Sequence, residues 1–211
     1  MDTKLDINVI SCKSCRANLP LLGNTKRSKS ITCDYCGSVM DIQNEFKVLY
    51  TYDVFNQLKT KLKVGMGGTI QGIAFTITGY VIYKSKDKEW VSFQLYSATH
   101  GYAYLVRKDQ QYSFYRKTYH LPEQNLWTLK KGDQFSALEQ KFIISNFHIV
   151  EVTFTAGTLI TSVLPSKRYK QCFADSDKMK YLSIQQKNDV GYFQGYEIRD
   201  SELKTASSGE V

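Results

Sequence analysis

The chain has 211 residues, 42% of them hydrophobic and 13% aromatic, and a formal net charge of +8. This length allows one sizeable core with a small satellite module, and the composition excludes a disordered chain. No apolar run approaches the about 18 residues of a membrane-spanning helix, and the N-terminus lacks a secretory signal pattern. We therefore expect a cytoplasmic protein without a transmembrane segment.

Two Cys-x-x-Cys pairs dominate the N-terminal segment, Cys12 with Cys15 and Cys33 with Cys36. Seventeen residues separate the pairs, a spacing typical of four-cysteine zinc sites. Two residues between cysteines allow a tight turn that aims both sulfurs at one point, and two such turns complete the tetrahedron that Zn²⁺ prefers. Four cysteines leave no position open for water, so we expect one structural zinc ion in a zinc ribbon over residues 1–45.

The competing interpretation of these cysteines is a pair of redox motifs. Redox Cys-x-x-Cys motifs lie at strand-to-helix junctions of βαβ units, and no such unit follows in this sequence. A reducing cytosol also favours thiolate ligands over disulfides. The fifth cysteine, Cys172, is interpreted as a small apolar packing residue.

A linker with a short helix is predicted over residues 46–64. Asp53 can serve as the N-cap of this helix. The apolar residues that share one helical face are Val54, Phe55, Leu58 and Leu62. The glycine-rich stretch 65–68 then marks a boundary between modules.

From residue 65 to residue 203 the sequence predicts an antiparallel β domain. Residues 73–83 alternate apolar and polar side chains around Gly79, which indicates a bulge or the close approach of another strand. The further predicted strands are residues 90–96, 101–106, 111–116, 148–154, 159–164, 181–186 and 191–198. Residues 148–154 and 159–164 are predicted to form a hairpin that turns at Ala156-Gly157. The regular spacing of the predicted strands is typical of an antiparallel sandwich or a partly open barrel. Whether the domain consists of two similar sheet units is left open. Residues 204–211 are predicted to form a flexible tail.

Several short motifs follow one another in this region. They are Gly65-x-Gly67-Gly68-Thr69-Ile70, Trp90-x-x-Phe93-x-Leu95, Gly101-Tyr102-x-Tyr104-Leu105, Gly157-Thr158-Leu159 and Tyr181-x-Ser183-Ile184. Their order, over roughly residues 12 to 200, resembles bacterial proteins with an N-terminal zinc ribbon followed by the domain of unknown function numbered 4178. The resemblance implies an all-β domain without an established reaction, in membrane-associated or stress-response systems. Such proteins often carry an acid shortly after the Trp, where this chain has Ser92 and Gln94.

The sequence contains no nucleophile–base arrangement at a recognisable spacing, so the first hypothesis is a non-enzymatic adaptor that binds another protein. The alternative is a nucleic-acid-binding protein, because aromatic residues beside basic ones can stack on bases and neutralise phosphates. An uncharacterised enzyme is the second alternative, and peripheral membrane contact is a further possibility for the basic residues. The candidate interaction surface comprises Tyr112, Phe114, Tyr115, Arg116, Lys117, Lys167, Arg168 and Lys170. A basic cluster at residues 26–29 is interpreted as solvated surface.

Overall fold

Strands are the main regular structure of this protein, which a computed structural model describes over residues 8–54, 60–165 and 167–205, with no α-helix in those ranges. In chain order the strands are β1 (Asn8–Ser11), β2 (Asn18–Leu21), β3 (Ser30–Thr32), β4 (Ser38–Asp41), β5 (Lys47–Thr51), β6 (Gly67–Ile70), β7 (Ile73–Lys84), β8 (Glu89–Ser97), β9 (Gly101–Lys108), β10 (Gln111–Thr118), β11 (Gln134–Ala137), β12 (Gln140–Leu159), β13 (Arg168–Asp175), β14 (Lys180–Gln186), β15 (Asp189–Ile198) and β16 (Leu203–Thr205). Short 3₁₀ turns lie at Leu126–Thr128 and Asp200–Glu202. The prediction of a mainly β protein is confirmed.

Eight of these strands close into an antiparallel barrel. Their order is β7-β8-β9-β10-β15-β14-β13-β12, and the pairing of β12 with β7 completes the ring. Of the two architectures that the sequence left open, the barrel is the one that forms, and it is closed. Closure removes the free edges that an open sheet of these strands would expose.

Strand β12 is 20 residues long and pairs with four other strands. The prediction of a hairpin that turns at Ala156-Gly157, with arms at residues 148–154 and 159–164, is wrong. Gly157 lies inside the strand with a φ of 66°, and its register partner is Gly79 of β7. A Cβ on Gly79 would lie 2.5 Å from the carbonyl oxygen of Ala156, so the close approach predicted at Gly79 is confirmed.

Several strands lie where the sequence predicted other structure or none. Residues 47–51 of the predicted linker form β5, while residues 55–59 of the predicted linker helix lie outside the described residues. Strand β13 was not predicted, although it begins inside a basic cluster that the sequence analysis singled out. Residues 204 and 205 of the predicted tail belong to β16, which pairs with β6, and residues 206–211 lie outside the described residues.

Side chains along each barrel strand alternate between the interior and the outer face. Interior residues contact one another across strands that are not neighbours. Trp90 of β8 and Phe173 of β13 have ring centroids 6.0 Å apart, and Tyr104 of β9 and Phe193 of β15 have centroids 5.4 Å apart. Trp90 is 4% exposed and belongs to the core.

The cysteine-bearing segment continues the sheet of the barrel. Strand β3 pairs with residues 157–159 at the end of β12. The hydroxyl oxygens of Thr32 and Thr155 lie 2.7 Å apart, and both residues are buried. The backbone N–H of Leu22 donates to Oγ1 of Thr158 at 3.2 Å. The segment is therefore fixed to the barrel where β12 finishes.

Candidate functional site

The four cysteines predicted as ligands converge. Their Sγ atoms all lie within 4.8 Å of one another. The Cys12 and Cys36 sulfurs are 3.7 Å apart, and the Cys15 and Cys33 sulfurs are 3.6 Å apart. Sulfurs at about 2.3 Å from a central metal lie about 3.8 Å from one another in a tetrahedron. The group can therefore hold one metal ion, and its full set of four protein ligands is that of a structural site.

Each cysteine pair lies in a turn of the same backbone form. The N–H of Arg16 donates to Cys12 O, and the N–H of Gly37 donates to Cys33 O, both at 2.9 Å. Arg16 and Gly37 also share a positive φ, 64° and 74°. Gly37 is further constrained because a Cβ there would lie 2.1 Å from the Tyr52 carbonyl oxygen. These two turns therefore place the four cysteine sulfurs in positions from which they can bind one shared metal ion.

A cavity of about 680 Å³ lies at the end of the barrel that joins the cysteine-bearing segment. Side chains of the barrel strands form most of its wall, and residues 159–163 and the cysteine-bearing segment contribute the rest. The apolar and aromatic wall includes Val81, Tyr104, Leu182, Ile184 and Phe193. Cavities of about 300–1,000 Å³ hold small ligands, and the interior of an eight-stranded barrel has room for one.

The mouth of this cavity carries four cations and one carboxylate. Lys26, Arg27 and Lys29 come from the loop between the two cysteine pairs, Lys117 comes from β10, and Asp189 comes from β15. All five side chains are exposed. None of the four cations forms an ion pair with another described residue. We call these four cations the basic rim.

Barrel residues hold the loop that carries the basic rim. The N–H of Asn24 donates to the Tyr102 hydroxyl at 2.9 Å, and this hydroxyl donates to Asn24 O at 3.3 Å. The Arg27 guanidinium lies 5.5 Å from the centroid of the Tyr102 ring. The N–H of Lys29 donates to Leu159 O at 2.9 Å. The basic residues therefore have fixed backbone positions over the barrel mouth.

The side chain of Gln94 holds the part of the cavity wall that lies at the end of β12 and just after it. Its Nε2 donates to Thr78 Oγ1 at 2.7 Å and to Thr158 O at 3.1 Å. Its Oε1 accepts from the Ile160 N–H at 3.0 Å. Because Gln94 is 2% exposed, these bonds form away from water and fix the start of the segment after β12.

Tyr104, Tyr169 and Gln171 are neutral hydrogen-bonding groups inside the barrel. Burial raises the pKa of Tyr104 to about 12, although the charge of Arg27 opposes the shift, and burial raises the pKa of Tyr169 to about 12. Gln171 is 1% exposed, and among the described residues its Nε2 has no hydrogen-bond partner. Its register partner Ile184 lines the cavity. A buried donor of this kind is normally satisfied by water or by a ligand.

A lysine inside aromatic surroundings occupies the opposite end of the barrel. Lys108 Nζ lies 4.3 Å from the Phe173 ring centroid, 4.9 Å from the Trp90 ring centroid and 2.9 Å from His148 Nε2. Burial, and then the charge of Lys88, lowers the pKa of Lys108 to about 8. Burial, and then the charge of Lys108, lowers the pKa of His148 to about 4. The neutral His148 ring can therefore accept a hydrogen bond from the Lys108 ammonium through Nε2 at neutral pH.

The candidate interaction residues on β10 alternate between two environments. Tyr115 is 3% exposed in the barrel interior, and Phe114 is 4% exposed with its ring against those of Phe75 and Tyr196. Tyr112 is half-buried, whereas Arg116 and Lys117 are exposed. The strand therefore separates the two buried rings from each other, and only Lys117 of this set joins Tyr115 at the cavity.

The other candidate interaction residues lie at the start of β13. Arg168 and Lys170 are exposed, and Lys167 is partly buried. Arg168 Nε donates to Glu151 Oε1 at 3.0 Å. Cys172 further along the strand is 1% exposed, and burial raises its thiol pKa to about 12, in agreement with its predicted packing role.

The cavity is the feature that sequence reasoning missed. Two signals for it were present: the basic cluster at residues 26–29 and the alternation along β7 and β8 that places Val81, Ser92 and Gln94 on one face. Neither signal indicates a cavity until the barrel closes. The cluster was interpreted as solvated surface, and the structure adds that it borders the cavity.

No protein-family model, curated protein or solved structure matches this chain. The family resemblance described above therefore stays an expectation, and what the structure does show is a four-cysteine cluster followed by a β-barrel. Among the described residues, no helix has the length and apolar character to cross a membrane.

Proposed function

We propose that this protein is a non-enzymatic binding protein that takes the apolar body of a small molecule into the mouth of its barrel. The observation that carries this proposal is the cavity of about 680 Å³ inside a closed barrel. Its wall combines apolar side chains with a few polar groups, the combination typical of small-molecule sites. Gln171 Nε2, which has no hydrogen-bond partner among the described residues, adds a buried donor beside Ile184.

We further propose that the metal ion of the cysteine cluster is zinc. Four thiolates at tetrahedral distances are the donor set of structural Zn²⁺ sites. The ion would hold the two turns together and thereby the two ends of the loop that carries Arg27 and Lys29. Its role in this proposal is structural, because no ligand position remains for a reacting molecule.

The test of the binding function uses N-phenyl-1-naphthylamine, an uncharged fluorescent probe with an apolar body. We expect saturable binding to the intact protein, with one site per chain. The variant Ile184→Trp places a bulky indole ring into the cavity and should weaken binding about tenfold or more. Ile149→Trp is the matched control, because Ile149 is 63% exposed and lies outside the cavity. Equal binding by both variants would contradict the proposal.

A protein partner is the second candidate, as the adaptor hypothesis expects. It is favoured by Val48 and Tyr50 on β5, which are 38% and 44% exposed. Among the described strands, β5 ends the sheet order and so offers an edge for an added strand. The family resemblance would place such a partner in a bacterial membrane-associated or stress-response system. Nucleic-acid binding is less favoured, because Phe114 and Tyr115 are buried and offer no face for stacking.

A further inference from the structure

We propose that the ligand of the cavity is an amphipathic anion, whose negatively charged group lies at the basic rim while its apolar part enters the barrel. This inference rests on the proposed binding function and adds the chemical class of the ligand. It follows from where charge and apolar surface lie around one cavity.

The charge at the mouth is strongly unequal. Asp189 is the carboxylate among the described residues that line the cavity, against the four cations of the basic rim. Cations gathered around a low-dielectric cavity focus a positive potential into it, and this raises the local concentration of anions. Lys117 reinforces the potential from the barrel side, on the same strand as the buried Tyr115.

The basic rim is also free to accept a ligand. None of its members has an ion-pair partner among the described residues, whereas Lys88, Arg168 and Lys180 elsewhere do. The Arg27 guanidinium is oriented by the face of the Tyr102 ring, so its N–H groups keep their donor capacity. Arginine is suited to carboxylates, sulfonates and phosphates because its donors match two acceptor oxygens at once.

The wall behind the rim requires the remainder of the ligand to be apolar. Leu182, Ile184 and Phe193 occupy successive inward positions on β14 and β15, and Val81 faces them from β7. Burying an apolar body against these side chains supplies the main favourable free energy, at about 25 cal/mol per Å² of apolar surface. A purely polar anion such as inorganic phosphate would leave this surface unused.

The test compares two probes that share one apolar body. N-phenyl-1-naphthylamine is uncharged, and 8-anilinonaphthalene-1-sulfonate carries a sulfonate on the same two ring systems. We expect the sulfonate to bind about tenfold more tightly at low salt and to lose this advantage as salt rises. The double variant Arg27→Gln/Lys29→Gln should remove most of the difference, because it should weaken binding of the sulfonate much more than binding of the uncharged probe.

The matched control is Lys130→Gln/Lys131→Gln, which removes the same charge from exposed residues that do not line the cavity. This control should keep the preference for the sulfonate. Equal affinity of the intact protein for both probes would overturn the inference while leaving the proposed binding function standing. Failure of both probes to bind would instead overturn the binding function itself. If the protein associates with phosphatidylglycerol vesicles but does not bind the soluble sulfonate, the inference that its ligand is a free amphipathic anion would be overturned.

Discussion

Gly79 and Gly157 face each other where the barrel closes. They are register partners in the β7–β12 pairing, and a Cβ on Gly157 would lie 3.0 Å from Gly79 Cα and 2.4 Å from Thr78 O. Two backbones approach here more closely than any side chain allows. The closed barrel, and with it the cavity, therefore depends on the absence of a side chain at both positions.

We expect Gly157→Ala to destabilise the protein by about 2–4 kcal/mol, because it combines a positive φ with a backbone clash. Gly72→Ala is the control, since Gly72 has a φ of 77° but would place its Cβ more than 4 Å from any neighbour. The control should cost only about 1 kcal/mol. Urea unfolding followed by tryptophan fluorescence measures both, and equal losses would mean that φ alone explains the cost.

The cysteine cluster was predictable from the sequence, whereas barrel closure was not. Cys12, Cys15, Cys33 and Cys36 reveal their site because the spacing within each turn is local. Closure joins β7 to β12 across some seventy intervening residues, and the alternation within each strand carries no information about that partner. Gly157 was read as a turn because positive φ is most common there, but here it serves a close approach.

Local patterns also misjudged residues whose role depends on the closed barrel. The run from Tyr112 to Lys117 resembles an exposed aromatic and basic surface. Because side chains alternate along a strand, however, Phe114 and Tyr115 lie on opposite faces of β10, and both are buried. Strand β13 was missed because Arg168 and Lys170 at its start are basic, and both lie exposed on the barrel. These outcomes follow from which face each strand turns inward, a property of the whole sheet.

His148 should make stability depend on pH below neutrality. Its pKa is about 4 in the folded protein, against about 6.5 in an unfolded chain, because burial and Lys108 disfavour its charged form. The unfolded chain therefore binds the extra proton first, and the free energy of unfolding falls as pH drops from about 6.5 toward 4. Lys88 and Asp109 are the other charges that act on this ring.

His148→Gln should reduce this pH dependence, as measured by urea unfolding at several pH values between about 4 and 7. His100→Gln serves as the control, because His100 is exposed and bonds to the neighbouring Thr99 side chain. The control should keep the wild-type slope. An unchanged slope in His148→Gln would show that other groups produce the acid sensitivity.

Gln94 should be required for the shape of the cavity as well as for stability. Replacing it with Leu leaves Thr158 O and Ile160 N without their buried partner, at a cost of about 2–4 kcal/mol. We expect binding of N-phenyl-1-naphthylamine to weaken, since the segment after β12 lines the cavity. Gln111→Leu is an exposed strand control. Unchanged stability and unchanged probe binding in Gln94→Leu would contradict this role of the Gln94 side chain.

Removal of the metal should affect the barrel mouth and not only the cysteine cluster. Metal analysis should give about one zinc per chain, and Cys33→Ser should lower this content. Cys33 directly follows Thr32, whose hydroxyl meets that of Thr155 in the barrel, and the loop with Arg27 and Lys29 precedes it. Because loss of the ion frees one end of this loop, we expect the preference for the sulfonate probe to decline. Affinity for the uncharged probe should fall less than affinity for the sulfonate.

The control is Cys172→Ala, at a buried cysteine outside the cluster, which should keep both the zinc and the preference for the sulfonate. If a Cys33→Ser protein lacks zinc yet still prefers the sulfonate, the position of the basic rim does not depend on the metal ion, and this prediction is contradicted.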